Sequence, residues 1–146
     1  MKAVSIHKPK QVEIIDLPEP NMGPADVLID IQYVGLCGSD LNSYRGHFSL
    51  VTYPLVPGHE IGGVITAKGD KVPDVLHIGD HVTVSPYTAC GVCPACRIGR
   101  TNCCQFNQTL GVQRQGAMCE RFAAPYDKVY SSPSLTPLDL ALAEPM

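Results

Sequence analysis

The sequence predicts a mainly β fold with short helices, arranged as a partly open barrel. Many short segments alternate apolar and polar residues, and turn-forming Gly and Pro, 13 of each among 146 residues, separate these segments. Numerous short strands with such turns are typical of barrels and sandwiches rather than of parallel sheets.

Seven segments are predicted to be strands because they show this alternation between turn signals. In chain order they are Lys2–His7, Gln11–Leu17, Asp26–Leu36, Ile61–Lys68, His81–Ser85, Gly116–Ala124 and Lys128–Ser131. The first two flank Lys8-Pro9-Lys10 and are predicted to form a hairpin. The third alternates most clearly, with Val27, Ile29, Ile31 and Tyr33 on one face.

Two short helices are also predicted. Ser39–Arg45 has room for one or two turns, with Ser39 or Asp40 as the N-cap. The run Thr136–Asp139 (TPLD) has the pattern of a helix start, with Thr as N-cap, Pro at the first position and Asp in the first turn.

Composition excludes several classes of function. The formal net charge is −3 and no basic run occurs, so the sequence lacks the signature of a nucleic-acid-binding protein. No apolar stretch approaches the ~20 residues of a membrane span. The N-terminal MKAVSIHKPK has no apolar segment of a secretory signal. Closely spaced cysteines without such a signal indicate reduced, metal-binding thiols, and we expect a cytoplasmic protein.

The first chemical motif is the segment CGVCPACRIGRTNCC. Its cysteines Cys90, Cys93, Cys96 and Cys104 have the spacing C-x2-C-x2-C-x7-C. This spacing lets one loop surround a zinc ion tetrahedrally with four thiolates, which is structural rather than catalytic coordination. Because residues 90–104 have little periodicity of their own, the metal is expected to supply their folding energy.

Two alternatives apply to this loop. An iron–sulfur cluster is disfavoured, because the ferredoxin run has a last gap of three residues followed by proline. Spacing alone does not decide whether Cys103 or Cys104 is the fourth ligand. Cys119 has no assigned role, and packing is the simplest interpretation of it.

A second group comprises Cys37 in GLCGSD and the pair His59-Glu60 in PGHEIGG. The flanking glycines let the backbone approach a metal closely. A thiolate, an imidazole and a carboxylate together suit a zinc ion that keeps one exchangeable position. Asp40 is expected to accept the second ring proton of His59 and so fix the ring.

Four motifs in order, GLCGSD, GHEIGGVITAKGDKV, GDHV and the cysteine loop, cover nearly the whole chain. In this order they resemble the GroES-like catalytic domain of the zinc-dependent medium-chain dehydrogenase/reductase family. The resemblance implies a GroES-like partly open β-barrel with a zinc-binding cysteine lobe.

The resemblance also implies roles for individual residues. Cys37 and His59 correspond to ligands of the catalytic zinc, and Glu60 is either a ligand or lies directly behind the metal. Glu144, in the LAEPM motif, corresponds to a further carboxylate that acts directly or through water. Ser39 corresponds to the hydroxyl that contacts the substrate oxygen and begins a proton relay. Together with Asp40, expected from its position to orient His59, Ser39 and Glu60 form the predicted catalytic set.

By the same resemblance, the protein oxidises a secondary alcohol with NAD or NADP and holds two zinc ions per chain. The carboxylate of Glu144 favours a polyol, a sugar alcohol or a hydroxy-amino acid as the small-molecule substrate. Asn42 stands where many polyol-type members have a histidine, so the later part of the relay differs here. Family members are expected to be homo-oligomers, dimers or tetramers.

No G-x-G-x-x-G motif and no βαβ pattern occurs in the chain. We therefore expect residues 1–146 to form the GroES-like catalytic domain, with the Rossmann cofactor domain absent from this chain and little turnover by the chain alone. The alternative function is a non-catalytic zinc-binding GroES-like module. A zinc-free reductase is disfavoured, because that branch lacks the cysteine lobe and the Cys37/His59 pair.

Overall fold

A computed structural model describes residues 1–144 and contains seven strands and three short α-helices in that part of the chain. The strands are β1 (Lys2–Lys8), β2 (Gln11–Asp16), β3 (Asp26–Gly35), β4 (Glu60–Lys68), β5 (His81–Val84), β6 (Arg121–Pro125) and β7 (Val129–Ser131). The helices are α1 (Gly38–Arg45), α2 (Pro94–Arg97) and α3 (Pro137–Ala141). The predicted class, mainly β with short helices, is confirmed.

The strands form two antiparallel sheets. β1 and β2 pair as the predicted hairpin, and the other five strands form an open sheet in the order β6-β3-β4-β5-β7. Isolated bridges from Ala3 to Cys119 and from Ile6 to Leu55 attach the hairpin to loops beside the larger sheet. β3 and β4 are the central pair of this sheet, and both candidate ligand segments leave from their ends.

The core lies against one face of the central strands. Val27 and Ile29 of β3 are fully buried, as their alternation predicts. The same alternation predicts that Tyr33 shares their face, but 46% of its surface is exposed. The pairing of β3 with β4 shifts register between Ile31 and Tyr33. Because a bulge moves the following side chains to the other face, the alternation does not persist to the end of β3.

The predicted strand at 116–124 is half wrong, because β6 begins only at Arg121. The preceding residues bond to the loop before β4 instead: Gly116 N donates to Val56 O at 2.6 Å and Met118 N donates to Pro57 O at 3.0 Å. A Cβ at position 116 would lie 2.3 Å from Pro57 O, so only glycine allows this contact. These hydrogen bonds hold the loop that precedes His59 in place.

α3 begins as its sequence predicts. Thr136 is the N-cap, its hydroxyl accepts from Asp139 N at 3.3 Å, and the Asp139 carboxylate accepts from Thr136 N at 2.9 Å. The helix packs on β4 at Gly62, where an added Cβ would lie 1.7 Å from Pro137 O. This contact fixes the chain just before Glu144. Among residues 1–144, no helix has the length and apolarity that crossing a bilayer requires.

Candidate metal centres

The four-cysteine loop brings together the sulfur atoms of Cys90, Cys93, Cys96 and Cys104, all within 4.8 Å of one another. α2 begins directly after Cys93 and contains Cys96, and a 3₁₀ turn precedes Cys104. Cys103 lies outside the cluster and is exposed, whereas Cys104 is buried. The geometry therefore selects Cys104 as the fourth candidate ligand.

Backbone N–H groups point at these sulfur atoms. Cys93 N donates to Cys90 Sγ at 3.3 Å, and Cys90 N donates to Cys104 Sγ at 3.4 Å. Hydrogen bonds from the backbone of Cys96 and then Gln105 lower the pKa of Cys93 to about 6. Backbone donors, that of Cys90 first, also lower the pKa of Cys104, whereas burial raises the pKa of Cys96 to about 12. Four clustered sulfur atoms fit a closed structural zinc site.

The second cluster is assembled from the ends of the central strands. Cys37 lies between β3 and α1, His59 directly precedes β4, and Glu60 is the first residue of β4. One ligand atom from each of the three residues lies within 4.8 Å of the others. His59 and Glu60 are 6% and 8% exposed, so the imidazole and carboxylate are nearly withdrawn from water. A buried carboxylate beside a thiol and an imidazole fits a divalent cation, which would balance its charge.

Gly35 makes room for Glu60. The two residues are cross-strand partners in the β3–β4 pair, and a Cβ added at Gly35 would lie 2.0 Å from Glu60 Oε2. The glycine before Cys37 is thus explained by the carboxylate on the neighbouring strand.

Asp40 has a different role from the one predicted. Its Oδ1 lies 3.9 Å from His59 Nδ1, too far for a hydrogen bond. Its Oδ2 accepts from Cys37 N at 2.9 Å and its Oδ1 from Gly58 N at 3.3 Å. One buried carboxylate therefore joins the two loops that carry Cys37 and His59. Cys37 is also the N-cap of α1, in place of the predicted Ser39 or Asp40.

Two polar atoms of the site lack protein partners. Within the described part of the chain, Ser39 Oγ and His59 Nδ1 are buried and make no hydrogen bond. Unpaired buried polar atoms are costly unless a ligand satisfies them. Ser39 is the second residue of α1, two positions after Cys37, and the hydrogen-bonding capacity of its buried hydroxyl is unused.

Glu144 does not belong to the second cluster. The group of three ligand residues does not include Glu144, whose Oε1 instead accepts a hydrogen bond from Tyr87 Oη at 3.3 Å. Partial burial, then the negative charge of Glu144 and, to a smaller extent, that of Cys37 raise the pKa of Tyr87. No motif in the sequence indicates Tyr87.

An apolar cavity of about 540 Å³ adjoins Cys37 on the α1 side. Leu36, Leu41 and Tyr44 contribute to its wall. Leu36 is 76% exposed, so the cavity is open to solvent on this side.

Fold and site together define a β domain with one closed all-sulfur ligand set and one mixed ligand set. Residues 23–134 match the family model of the alcohol dehydrogenase GroES-like domain. The chain belongs to this family, and the resemblance to zinc-dependent medium-chain dehydrogenases noted in the motifs is confirmed.

Among curated proteins, an uncharacterized zinc-type alcohol dehydrogenase-like protein of Haemophilus influenzae is 42% identical over 100% of this chain and 43% of its own length. L-galactonate-5-dehydrogenase of Escherichia coli is 36% identical over 99% of this chain and 42% of its own length. An Escherichia coli alcohol dehydrogenase solved with NADH superposes with a TM-score of 0.89 and 36% identity, over 99% of this chain and 42% of that one. The chain thus spans less than half the length of the proteins it matches.

Proposed function

We propose that this chain carries the metal centres of a zinc-dependent dehydrogenase that oxidises a secondary alcohol with NAD or NADP. The observation that carries the proposal is the convergence of Cys37, His59 and Glu60 within 4.8 Å of one another, separate from the four-cysteine cluster. A closed sulfur site alone needs no second, mixed donor set. Because this chain is much shorter than its relatives, the activity is proposed for the whole protein rather than for this stretch of it.

Each residue of the mixed site has a defined part in this proposal. Cys37, His59 and Glu60 would hold zinc, and the bound ion would supply Lewis-acid polarisation of the alcohol oxygen for hydride transfer to NAD or NADP. Ser39 Oγ, buried without a protein partner, would accept the proton of the substrate hydroxyl while its own hydroxyl proton passes outward to solvent. Asp40 keeps the Cys37 and Gly58 backbones at a fixed separation.

The substrate proposed is a polyhydroxylated molecule: a polyol, a sugar alcohol, a sugar acid or a hydroxy-amino acid. Glu144 and Tyr87 supply a carboxylate acceptor and a phenol that are hydrogen-bonded to each other, and substrate hydroxyls pair well with both. L-galactonate-5-dehydrogenase, among the relatives, is named for a polyhydroxylated acid.

Metal analysis of the intact protein tests the proposal. We expect two zinc ions per chain, one in Cys37→Ser and one in Cys93→Ser. Cys119→Ser is the matched control and should retain two, because burial raises the pKa of Cys119 to about 11 and leaves it a neutral thiol. A wild-type protein with a single zinc ion, which Cys37→Ser retains and Cys93→Ser loses, would instead support the non-catalytic zinc-binding module.

Activity is assayed on the same variants with sugar alcohols, sugar acids and threonine, each with NAD and with NADP. Oxidation that is present in Cys119→Ser and lost in Cys37→Ser supports the dehydrogenase. Three further points stay predictions: that residues 1–146 form one catalytic domain, that the protein is a homo-oligomer, and that it is cytoplasmic. Light scattering would test the oligomeric state.

A further inference from the structure

A polar cavity lies where the four-cysteine loop meets the edge of the large sheet, and we call it the loop cavity. Its volume is about 410 Å³, within the ~300–1,000 Å³ of small-molecule binding sites. None of the candidate metal ligands is among the residues that line it. Three parts of the chain form its wall: Ser85, Tyr87, Thr88 and Ala89 after β5, Thr101 and Asn102 in the loop with Asn107 after it, and Lys128 and Tyr130 around the start of β7.

Polar groups dominate the wall of the loop cavity. They are the hydroxyls of serine, threonine and tyrosine and the amides of two asparagines, and Ala89 is the one lining residue of the described chain with a purely apolar side chain. Such groups donate and accept hydrogen bonds, as the hydroxyls of a sugar or a polyol require. The cavity beside Cys37, in contrast, has a mainly apolar wall.

Hydrogen bonds within the protein order this wall. Thr88 N donates to Asn107 Oδ1 at 3.0 Å, and Gln108 N donates to Thr88 Oγ1 at 2.7 Å, so the chain segments on either side of the four-cysteine loop are joined. Ser85 N donates to Lys128 O at 2.8 Å and fixes the backbone of that lysine against the end of β5. A wall that is ordered in advance loses little conformational entropy when a ligand binds.

Lys128 gives the loop cavity its charge. Its side chain is half-buried, and none of the ion pairs among residues 1–144 includes it. Asp127 lines an adjoining cavity instead, together with Arg114, and no acidic side chain from the described residues lines the loop cavity itself. A half-buried ammonium group without a carboxylate partner favours an anion beside it.

We propose that the loop cavity binds a polyhydroxylated molecule that carries an acidic group. The carboxylate or phosphate of this ligand pairs with the Lys128 ammonium, and its hydroxyls bond to the hydroxyl and amide groups of the wall. A neutral polyol would leave the ammonium unpaired, and a simple anion would leave the rest of the wall unused. The site is independent of the proposed dehydrogenase activity, because none of its residues belongs to the mixed cluster.

Isothermal titration calorimetry of the intact, zinc-loaded protein tests this inference with four probes: sorbitol, gluconate, sorbitol 6-phosphate and inorganic phosphate. At least one of the two acidic sugars should bind about tenfold more tightly than sorbitol, as a charge-assisted hydrogen bond predicts. The tighter of the two identifies the acidic group as a carboxylate or a phosphate. Sorbitol 6-phosphate should also bind more tightly than inorganic phosphate, which cannot use the hydroxyl groups of the wall.

Four variants locate the binding. Lys128→Met should abolish the preference for acidic sugars, whereas Lys128→Arg should retain most of it because the positive charge remains. Lys71→Met, at an exposed lysine outside the cavity, is the matched control and should leave every affinity unchanged. Cys37→Ser should also bind the acidic sugars as wild type does. Thermal melting of each variant shows whether a changed affinity reflects unfolding.

Acidic sugars that do not bind, or bind no more tightly than sorbitol, overturn the inference, as does a preference that survives Lys128→Met. Equal affinities for sorbitol 6-phosphate and inorganic phosphate would show that the hydroxyl groups of the wall do not take part, and would overturn it too. Lost binding in Cys37→Ser would place the acidic sugar at the mixed cluster instead of at Lys128. Because these measurements need no turnover, this inference and the proposed function fail separately.

Discussion

The Gly35–Glu60 pair shows how closely backbone and ligand chemistry are matched at single residues. Glu60 occupies the space that any side chain at position 35 would need, and its carboxylate is buried among the candidate ligands. Gly38, on the other side of Cys37, has no heavy atom within 4 Å of an added Cβ. Two glycines that look equivalent in the GLCGSD motif therefore have different structural reasons.

Gly35→Ala should displace the Glu60 carboxylate and lower the zinc affinity of the mixed site by about tenfold or more, as changes beside metal ligands do. Gly38→Ala should leave this affinity near wild type and is the matched control. Competitive chelator titration measures both. Equal losses in the two variants would show that the contact with Glu60 is not the cause.

Asp40→Asn should destabilise the fold by about 2 kcal/mol, since one charged acceptor serves two backbone N–H groups in a buried position. An amide has only one oxygen to accept with, so one of the two bonds is lost. Urea denaturation measures the change, with the exposed Asp30→Asn as control. Similar midpoints for the two variants would contradict the role of Asp40 in joining the loops.

At the level of elements, α3 connects a local sequence signal to the site, because it ends just before Glu144. Thr136→Ala removes the N-cap and should destabilise the protein by about 1 kcal/mol at neutral pH. Hydrogen bonds from Thr136 hold the pKa of Asp139 below its ordinary 3.8. A carboxyl group whose pKa is lowered in the folded protein stabilises the fold at pH values above its ordinary pKa. This stabilisation is lost as the pH falls through the lowered pKa.

The effect of Thr136→Ala should therefore shrink in acid, and urea midpoints at pH 7 and pH 3 measure the difference. Ser134→Ala, two residues earlier and outside the capping box, is the control. A loss at pH 3 as large as that at pH 7 would show that the Asp139 carboxylate does not contribute to the cap.

Elements with local signals could be predicted from sequence, and those that depend on distant partners could not. The TPLD cap and the hairpin around Lys8–Lys10 follow from residues near one another in sequence, and the structure has both. The strand predicted at 116–124 fails because Gly116 bonds to Val56, sixty positions earlier, rather than to a neighbouring strand. The exposure of Tyr33 follows from a bulge that is set by pairing with β4.

At the scale of the whole molecule, the same distinction applies to the site. Cys37, His59 and the four clustered cysteines stand out because short motifs contain them. Tyr87 has no motif, and its contact with Glu144 spans 57 positions that only the tertiary fold brings together. The spacing left Cys103 and Cys104 undecided, and burial of Cys104 distinguishes them.

The distribution of buried residues predicts that the four-cysteine loop and the sheet depend differently on metal. The apolar core lies around β3, β4 and β5, whereas Val92, Ile98 and Phe106 of the loop region are 64%, 72% and 61% exposed. The loop buries little apolar surface of its own, so metal coordination must replace a core as its source of folding energy. The sheet has no such requirement.

Removing zinc with a chelator should therefore release amide protection within residues 90–104 while β3 and β4 remain protected. Hydrogen exchange followed by mass spectrometry measures this, and far-UV circular dichroism should retain the β signal. Cys37→Ser, still loaded at the four-cysteine loop, is the control and should keep residues 90–104 protected until the chelator is added. Faster exchange along the whole chain would mean that the loop and the sheet unfold together. Unchanged exchange in the loop would mean that the loop is stable without metal.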